Sequence, residues 1–230
     1  MKNTFFNDIF FSQLKFEIQS TFFPIINYKR ELINRPEQKE LIDTMVEISN
    51  KIFGLIKIFN QIEHLAELES GRMIVNEEEV IINQLVSEII KEAEHEARKK
   101  NIYTRISIAG TLKLKTDRKI LYIILKNIID NAIHFTDKGG VTVECSTAMF
   151  DRKVKYIIQI IDTGPGITDL NHKKIYDDRI DDTIAQNQFL MKEGMRLMLT
   201  KKFVELLNGN LSITGRLGKG IVYRVELDLS

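Results

Sequence analysis

The chain has 230 residues, 43% of them hydrophobic and 28% charged, which is typical of a globular protein with one or two domains. Its formal net charge is +1 and it has no basic run, which argues against a nucleic-acid partner. No segment approaches the roughly 18 apolar residues of a membrane span, and the N-terminus lacks a signal-peptide pattern. We therefore expect a soluble, cytoplasmic protein, attached to a membrane only through upstream segments outside this sequence. The single cysteine, Cys145, suits a reducing compartment.

Residues 1–70 contain almost no glycine or proline and predict two helices, separated near Asn34 and Pro36. The first has an apolar stripe at Phe11, Leu14, Ile18, Phe22 and Ile25. The second has a heptad seam at Leu41, Met45, Ile48, Ile52, Leu55, Phe59, Ile62 and Ala66. Such seams favour helix packing, and two helices alone cannot cover both apolar faces. We expect a hairpin that doubles into a dimeric four-helix bundle; the alternative is an intramolecular hairpin lying on the rest of the chain.

From Gly71 onward, helical patterns alternate with short strands. The predicted elements are a strand at 73–75, a helix at 80–100, a strand at 102–108, a helix at 117–135, strands at 141–145 and 155–161, a helix at 194–207 and a hairpin at 211–227. This order predicts an α/β sandwich in which helices cover one face of a mixed sheet. The whole chain is therefore predicted to be an α+β protein with two domains.

Two asparagines stand one helical turn apart in the helix predicted at 117–135. The amides of Asn127 and Asn131 should face the same way, and amide oxygens can help to hold Mg²⁺ against phosphates. His134 and Phe135 follow on the same helix. Taken alone, two asparagines on a helix are more often caps or surface amides.

A second segment, Asp162-Thr-Gly164-Pro-Gly166-Ile167, directly follows an apolar strand. A carboxylate at a strand end can accept a hydrogen bond from a base amino group such as that of adenine. The two glycines allow the backbone to approach a ring closely. The alternative is a plain Gly-Pro-Gly turn.

Two further glycine segments are weaker signals. Gly194-Met-Arg196-Leu197 is predicted to open a helix, where free N–H groups can bind phosphate. An ordinary helix start with Arg196 in solvent is equally compatible with this segment. The second, residues 217–220, contains two glycines and is accounted for by a tight hairpin turn alone.

These four segments, in this order, resemble the cytoplasmic core of bacterial sensor histidine kinases. Residues 63–72 resemble the end of the second hairpin helix in that family. The resemblance implies a dimerisation and phosphoacceptor hairpin at 1–70, and a Bergerat-fold domain at 71–230 that binds ATP and Mg²⁺. It also implies a homodimer whose partner is a response-regulator receiver domain or another histidine kinase.

The resemblance implies a role for each matched residue. Asn131 would coordinate Mg²⁺ with Asn127 beside it, His134 would reach the phosphates, and Phe135 would flank the adenine. Asp162 would read the adenine amino group. The other residues that match the nucleotide motifs are Gly164, Gly166, Ile167, Gly194, Arg196 and Leu197.

The chain departs from the family pattern where the pattern has a phosphoacceptor histidine. Phe16 stands there, followed by the acidic Glu17, and residues 1–63 contain no histidine. A phenyl ring has no lone pair to accept a phosphoryl group. Glycines of the family pattern are replaced by Lys192 and Arg196, and hydroxyl residues by Ile221 and Val222. The remaining histidines, His64, His95 and His172, are predicted to be solvated.

These departures predict a pseudokinase: a dimeric signalling scaffold of the two-component type, deficient in autophosphorylation. The alternative is an active kinase that phosphorylates a histidine in trans. A gyrase- or chaperone-type ATPase would need a catalytic Glu at the Asn127 position, and Asn cannot act as that base.

Overall fold

The computed structural model of the protein describes residues 39–150, 153–166 and 188–228. The chain divides into two compact units, residues 1–73 and 74–230. The predicted first helix, with Phe16 and Glu17, lies outside the described residues, as do His172 and Ile167. Within the part that is described, no helix is long and apolar enough to cross a membrane.

Helix α1 (Lys39–Glu69) confirms the helix predicted from the heptad seam. The helix is terminated two residues after Glu69 by Gly71, whose φ of +64° lies in the left-handed region. The N–H of Arg72 donates to the carbonyl oxygen of Glu67 at 3.2 Å, which closes the last turn as a Schellman motif. Ser49 turns its hydroxyl back onto the Met45 carbonyl at 2.7 Å, so this buried polar group is satisfied within the helix.

The two rows of the α1 seam differ in exposure. Met45 and Ile52, seven residues apart, are only 8% and 4% exposed. The row that alternates with them is 40–49% exposed and comprises Leu41, Ile48 and Leu55. One side of the seam is therefore buried and the other side faces outward.

The second unit consists of three helices and seven strands within its described residues. The elements are β1 (Glu78–Ile81), α2 (Ile82–Lys99), β2 (Tyr103–Ile108), β3 (Lys113–Thr116), α3 (Arg118–Phe135), β4 (Gly140–Phe150), β5 (Lys153–Asp162), α4 (Gln188–Leu206), β6 (Gly209–Gly215) and β7 (Ile221–Asp228). The predicted helices are confirmed, as are the predicted strands that correspond to β2, β4, β5, β6 and β7. The helix predicted at 80–100 begins later, because β1 takes its first residues.

The strand predicted at 73–75 is wrong. The strand in this region is β1, which pairs antiparallel with β3 so that Val80 lies opposite Leu114. Both of these side chains are 2% exposed, whereas Ile74 is 77% exposed. Burial of the Val80–Leu114 pair therefore sets the position of the strand, and the apolar run at 73–75 has no such partner.

The main sheet has five strands in the order β2-β4-β5-β7-β6. Strands β2 and β4 are parallel and the other pairs are antiparallel, so the sheet is mixed, as predicted. Directly paired residues share a face, and one such row is buried from β4 to β6: Val143, Ile160, Tyr223 and Ile213. The neighbouring row on the other face carries the half-buried polar residues Glu144, Gln159 and Arg224. One face of the sheet therefore forms the core.

Helix α3 is fixed at its start by Asp117. The Oδ1 atom of Asp117 accepts a hydrogen bond from the N–H of Ile120 at 3.0 Å, as an N-cap does. Its Oδ2 atom accepts from the N–H of Asn76 at 2.8 Å. Asp117 is 5% exposed, so both backbone groups are satisfied without water.

We expect Asp117→Ala to lower the free energy of unfolding by about 1–3 kcal/mol, because it removes the cap and leaves the buried N–H of Ile120 without its acceptor. Urea denaturation of the wild-type and variant proteins measures the difference. Asp137→Ala is the matched control, since the Asp137 side chain is 90% exposed and should change stability by less than about 0.5 kcal/mol. Equal effects of the two substitutions would contradict the capping role.

Candidate functional site

The predicted site residues of β5 and α3 meet where these two elements end. A Cβ atom at Gly164 would lie 2.8 Å from the carbonyl oxygen of Phe135 and 3.0 Å from Asp162 Oδ1. The loop after β5 therefore packs directly on the end of α3, and only a glycine fits at position 164 without displacing backbone.

The Asp162 side chain is buried, at 3% exposure. Its Oδ1 atom accepts hydrogen bonds from the N–H groups of Gly164 at 2.8 Å and Ile221 at 3.1 Å. Its Oδ2 atom is buried and has no hydrogen-bond partner among the described residues. Burial raises the pKa of the Asp162 carboxyl, and the two backbone hydrogen bonds oppose that rise. A buried carboxylate oxygen without a donor fits a ligand that brings one.

The turn at 217–220, predicted only as a hairpin turn, holds Asp162 in place. The N–H of Gly218 donates to the carbonyl oxygen of Pro165 at 2.6 Å. A Cβ atom at Gly220 would overlap the carbonyl oxygen of Asp162, and one at Gly166 would overlap that of Arg216. The two glycine segments therefore interlock, which residue spacing alone does not reveal.

Thr163 connects the same loop to the start of β4. Its Oγ1 atom accepts from the N–H of Gly140 at 2.9 Å and donates to the carbonyl oxygen of Lys138 at 2.8 Å. Sequence reasoning passed over Thr163, and its position directly after Asp162 was the only available signal. The hydroxyl fixes where β5 ends and thus where Asp162 lies.

The asparagines of α3 face α4. Asn131 is 5% exposed, and its Oδ1 atom accepts a hydrogen bond from Nη1 of Arg196 at 2.9 Å. One turn earlier, Nδ2 of Asn127 donates to Oγ1 of Thr200 at 3.2 Å. The Thr200 hydroxyl in turn donates to the carbonyl oxygen of Arg196 at 2.8 Å. The structure thus brings three predicted residues together, Asn127, Asn131 and Arg196, and adds Thr200.

The contact between Asn131 and Arg196 bears on the predicted metal. Mg²⁺ on the Asn131 oxygen would lie beside the guanidinium, and the two cations repel each other. The observed arrangement therefore disfavours Mg²⁺ at this oxygen. Ligation of Mg²⁺ by Asn131 and Asn127 stays a prediction.

Helix α4 corrects the predicted position of Gly194. The predicted helix opened at Gly194, but α4 begins at Gln188. Gly194 and Arg196 therefore lie inside the helix, where backbone N–H groups are occupied by hydrogen bonds to carbonyls one turn earlier. A phosphate contact through free N–H groups at Gly194 loses its basis. Arg196 and Leu197 are half-buried rather than in solvent.

The end of α3 carries His134 and Phe135. His134 is exposed and Phe135 half-buried, and their rings meet edge to face at 5.0 Å between centroids. The ammonium group of Lys100 donates to the carbonyl oxygens of Ile133 at 3.2 Å, His134 and Thr136 at 3.4 Å. Lys100 neutralises the negative end of the helix, and its position 33 to 36 residues away gave no signal in the sequence.

Two other predicted histidines, His64 and His95, are among the described residues. His95 on α2 is exposed, as predicted. His64 on α1 has a side chain that is 34% exposed, with its Nδ1 3.6 Å from Oε2 of Glu67.

Residues 116–230 match the family model described as histidine kinase-, DNA gyrase B- and HSP90-like ATPase. The chain belongs to this family. The ATPase-family region therefore begins at β3 and includes α3, the loop after β5, α4 and the 217–220 turn.

The relatives of this ATPase-family chain include sensor kinases. This chain is 28% identical to hybrid signal transduction histidine kinase D of Dictyostelium discoideum, over 93% of this chain and 15% of the relative. It is 22% identical to the signal transduction histidine-protein kinase BarA of Escherichia coli over 96% of this chain and 25% of BarA. The chain therefore spans a quarter or less of these relatives.

Solved structures show the same fold. The structure of full-length ShkA in complex with AMPPNP matches with a TM-score of 0.72 and 22% identity, over 96% of this chain and 46% of ShkA. The Acinetobacter baumannii histidine kinase AdeS matches with a TM-score of 0.62 and 16% identity, over 93% of this chain and 95% of AdeS. The predicted resemblance is thus confirmed to the extent of an ATPase-family domain and a fold shared with solved histidine kinases.

Proposed function

We propose that this chain is a two-component signalling core that binds ATP and does not phosphorylate itself. The observation that carries the proposal is the buried Oδ2 atom of Asp162, which lacks a donor among the described residues. A carboxylate accepts hydrogen bonds only, and the amino group of adenine is a donor. Guanine and hypoxanthine present an oxygen at that position, which would face the carboxylate with lone pairs on both sides. The site therefore suits adenine over other purines.

The neighbours of Asp162 support a nucleotide in this place. Gly164 and Gly166 let the loop after β5 pack closely against Phe135 and Arg216, which keeps the Asp162 carboxylate in place. In this proposal the half-buried Phe135 flanks the adenine ring, and the exposed His134 next to it meets a phosphate. The complex of ShkA, a protein of the same fold, with AMPPNP agrees with this assignment.

We assign residues 1–70 to a dimerisation hairpin and 71–230 to the ATP-binding domain. The outward row of α1 supports a dimer, because Leu41, Ile48 and Leu55 recur every seven residues and stay 40–49% exposed. Burial of such a row against a second copy is the usual reason for a four-helix bundle. The proposed partner in signalling is a response-regulator receiver domain or another histidine kinase. Any membrane attachment would come from segments upstream.

The lack of self-phosphorylation rests on the sequence of the first hairpin helix. Phe16 occupies the acceptor position, and no histidine precedes His64. Glu17, which would serve as the base beside a histidine, then has no proton to take. The alternative is an active kinase that phosphorylates a histidine supplied by another protein, and the buried Oδ2 atom of Asp162 is compatible with that alternative too.

Calorimetric titration with ATP and incubation with γ-labelled ATP test the proposal together. We expect saturable ATP binding and no acid-labile label on the wild-type chain, with or without candidate response regulators. Phe16→His, with Phe16→Leu as the matched control, asks whether the acceptor alone is missing. Acid-labile label on the wild-type chain would contradict the proposal, and label on an added histidine protein would establish the alternative.

A further inference from the structure

The positively charged group beside Asn131 in this structure is the guanidinium of Arg196. Nη1 of Arg196 lies 2.9 Å from Oδ1 of Asn131, which is 5% exposed. A guanidinium has donors only, so the Asn131 atom that faces it must be the carbonyl oxygen. That oxygen is the atom an amide would offer to Mg²⁺.

The contact belongs to a built interface between α3 and α4. Asn127 and Asn131 are four residues apart on α3, and Thr200 and Arg196 are four apart on α4. Nδ2 of Asn127 meets Oγ1 of Thr200 at 3.2 Å, and Thr200, 1% exposed, donates to the Arg196 carbonyl at 2.8 Å. Two side-chain contacts therefore set the register of the helices and hold Arg196 over Asn131.

A guanidinium at this position can neutralise phosphate charge, as a divalent cation does. It stays protonated at all relevant pH values, and its planar fork matches two phosphate oxygens. Nη1 of the guanidinium is directed at the Oδ1 atom of Asn131. Mg²⁺ bound to the same oxygen would be repelled by the guanidinium beside it. The two cations are therefore alternatives at this site.

We propose that Arg196 supplies the positive charge at the phosphate end of the site in place of Mg²⁺, so that this chain binds ATP without a divalent cation. The inference rests on the proposed ATP site at Asp162 and adds a positioning residue to it. Arg196 neutralises charge and orients the phosphates, and Asn131 and Thr200 hold it there.

ATP affinity measured by calorimetry in excess Mg²⁺ and in EDTA tests the inference. For the wild-type chain we expect ATP to bind no more tightly in excess Mg²⁺ than in EDTA, because the charge is already present and Mg²⁺ in solution competes for the phosphates. Arg196→Ala keeps a good helix former and releases the Asn131 oxygen. We expect this variant to lose affinity in EDTA by tenfold or more and to recover most of it in Mg²⁺. Mn²⁺ replacing Mg²⁺ should leave the phosphorus signals of wild-type-bound ATP sharp and broaden those of the variant complex.

Arg105→Gln is the matched control, since Arg105 is an exposed arginine on β2, packed over the Tyr103 ring and outside the site. It should behave as the wild type in both buffers. Tenfold tighter wild-type binding in Mg²⁺ than in EDTA would overturn the inference and leave the ATP site standing. Equal Mg²⁺ independence of Arg196→Ala would also overturn it. No ATP binding in either buffer would refute the proposed function itself, and this inference with it.

Discussion

Replacement of Asp162 by asparagine is expected to weaken ATP binding by about 10- to 100-fold, the value of one hydrogen bond to a charged acceptor, while the fold survives. The Oδ1 atom of asparagine can still accept from the N–H groups of Gly164 and Ile221, which now donate at 2.8 and 3.1 Å. The amide nitrogen takes the place of Oδ2 and donates, so it opposes the adenine amino group. Calorimetric titration measures the loss of affinity.

Asp162→Asn should also reverse the preference between purines. Inosine triphosphate carries an oxygen where adenine carries its amino group, so the wild type should reject it and the variant should prefer it to ATP. Asp162→Ala is a poorer probe, because it leaves two buried N–H groups unsatisfied at about 1–3 kcal/mol each. Unchanged ATP affinity in a folded Asp162→Asn protein would show that the base does not bind at this carboxylate.

Gly220→Ala should be among the most destabilising single substitutions in the ATPase-family domain. Gly220 has a φ of +77°, and a Cβ there would overlap the carbonyl oxygen of Asp162. We expect a loss of about 2–5 kcal/mol in the free energy of unfolding, from left-handed strain of about 1–2 kcal/mol plus overpacking of about 1–3 kcal/mol. Urea denaturation followed by circular dichroism measures it.

Gly218→Ala, in the same turn, separates the two causes. Gly218 has nearly the same φ, +75°, but a Cβ there meets nothing within 4 Å. It should therefore cost only the backbone strain, about 1–2 kcal/mol. If both variants lost the same stability, the close contact with Asp162 would not be the reason that position 220 requires glycine.

Local spacing was sufficient to predict helices α1 to α4, strands β2, β4, β5, β6 and β7, and where some candidate site residues lie on them. The four-residue step between Asn127 and Asn131 placed both amides on one face of α3, and the apolar run before Asp162 placed that carboxylate at a strand end. The strand predicted at 73–75 failed because a short apolar run does not reveal its pairing partner. Strand β3, with alternating lysines and only four residues, gave too little pattern to be recognised.

The contacts that complete the site could not be predicted, because they join distant parts of the chain. Arg196 and Asn131 are 65 residues apart, and the Ile221 N–H lies 59 residues from the carboxylate it supports. Spacing on one element contains no information about which face of another element will pack against it. The hydrogen bond from Ile221 to Asp162 was also unpredictable because its donor is the backbone N–H, which does not depend on the type of side chain.

The two oxygen atoms of the Asp162 carboxyl group have different roles in the proposed site. Its Oδ2 atom is left for a base, while its Oδ1 atom holds the first amide of β7. A base donor on Oδ2 draws electron density from the same delocalised group, which alters how firmly the Ile221 amide is held. Strand β7 lies between β5 and β6 in the sheet. We therefore expect the rate of amide hydrogen exchange at Ile221 to change when a base binds at Asp162. If ATP binds as proposed, exchange at this amide will differ between the bound and the free protein.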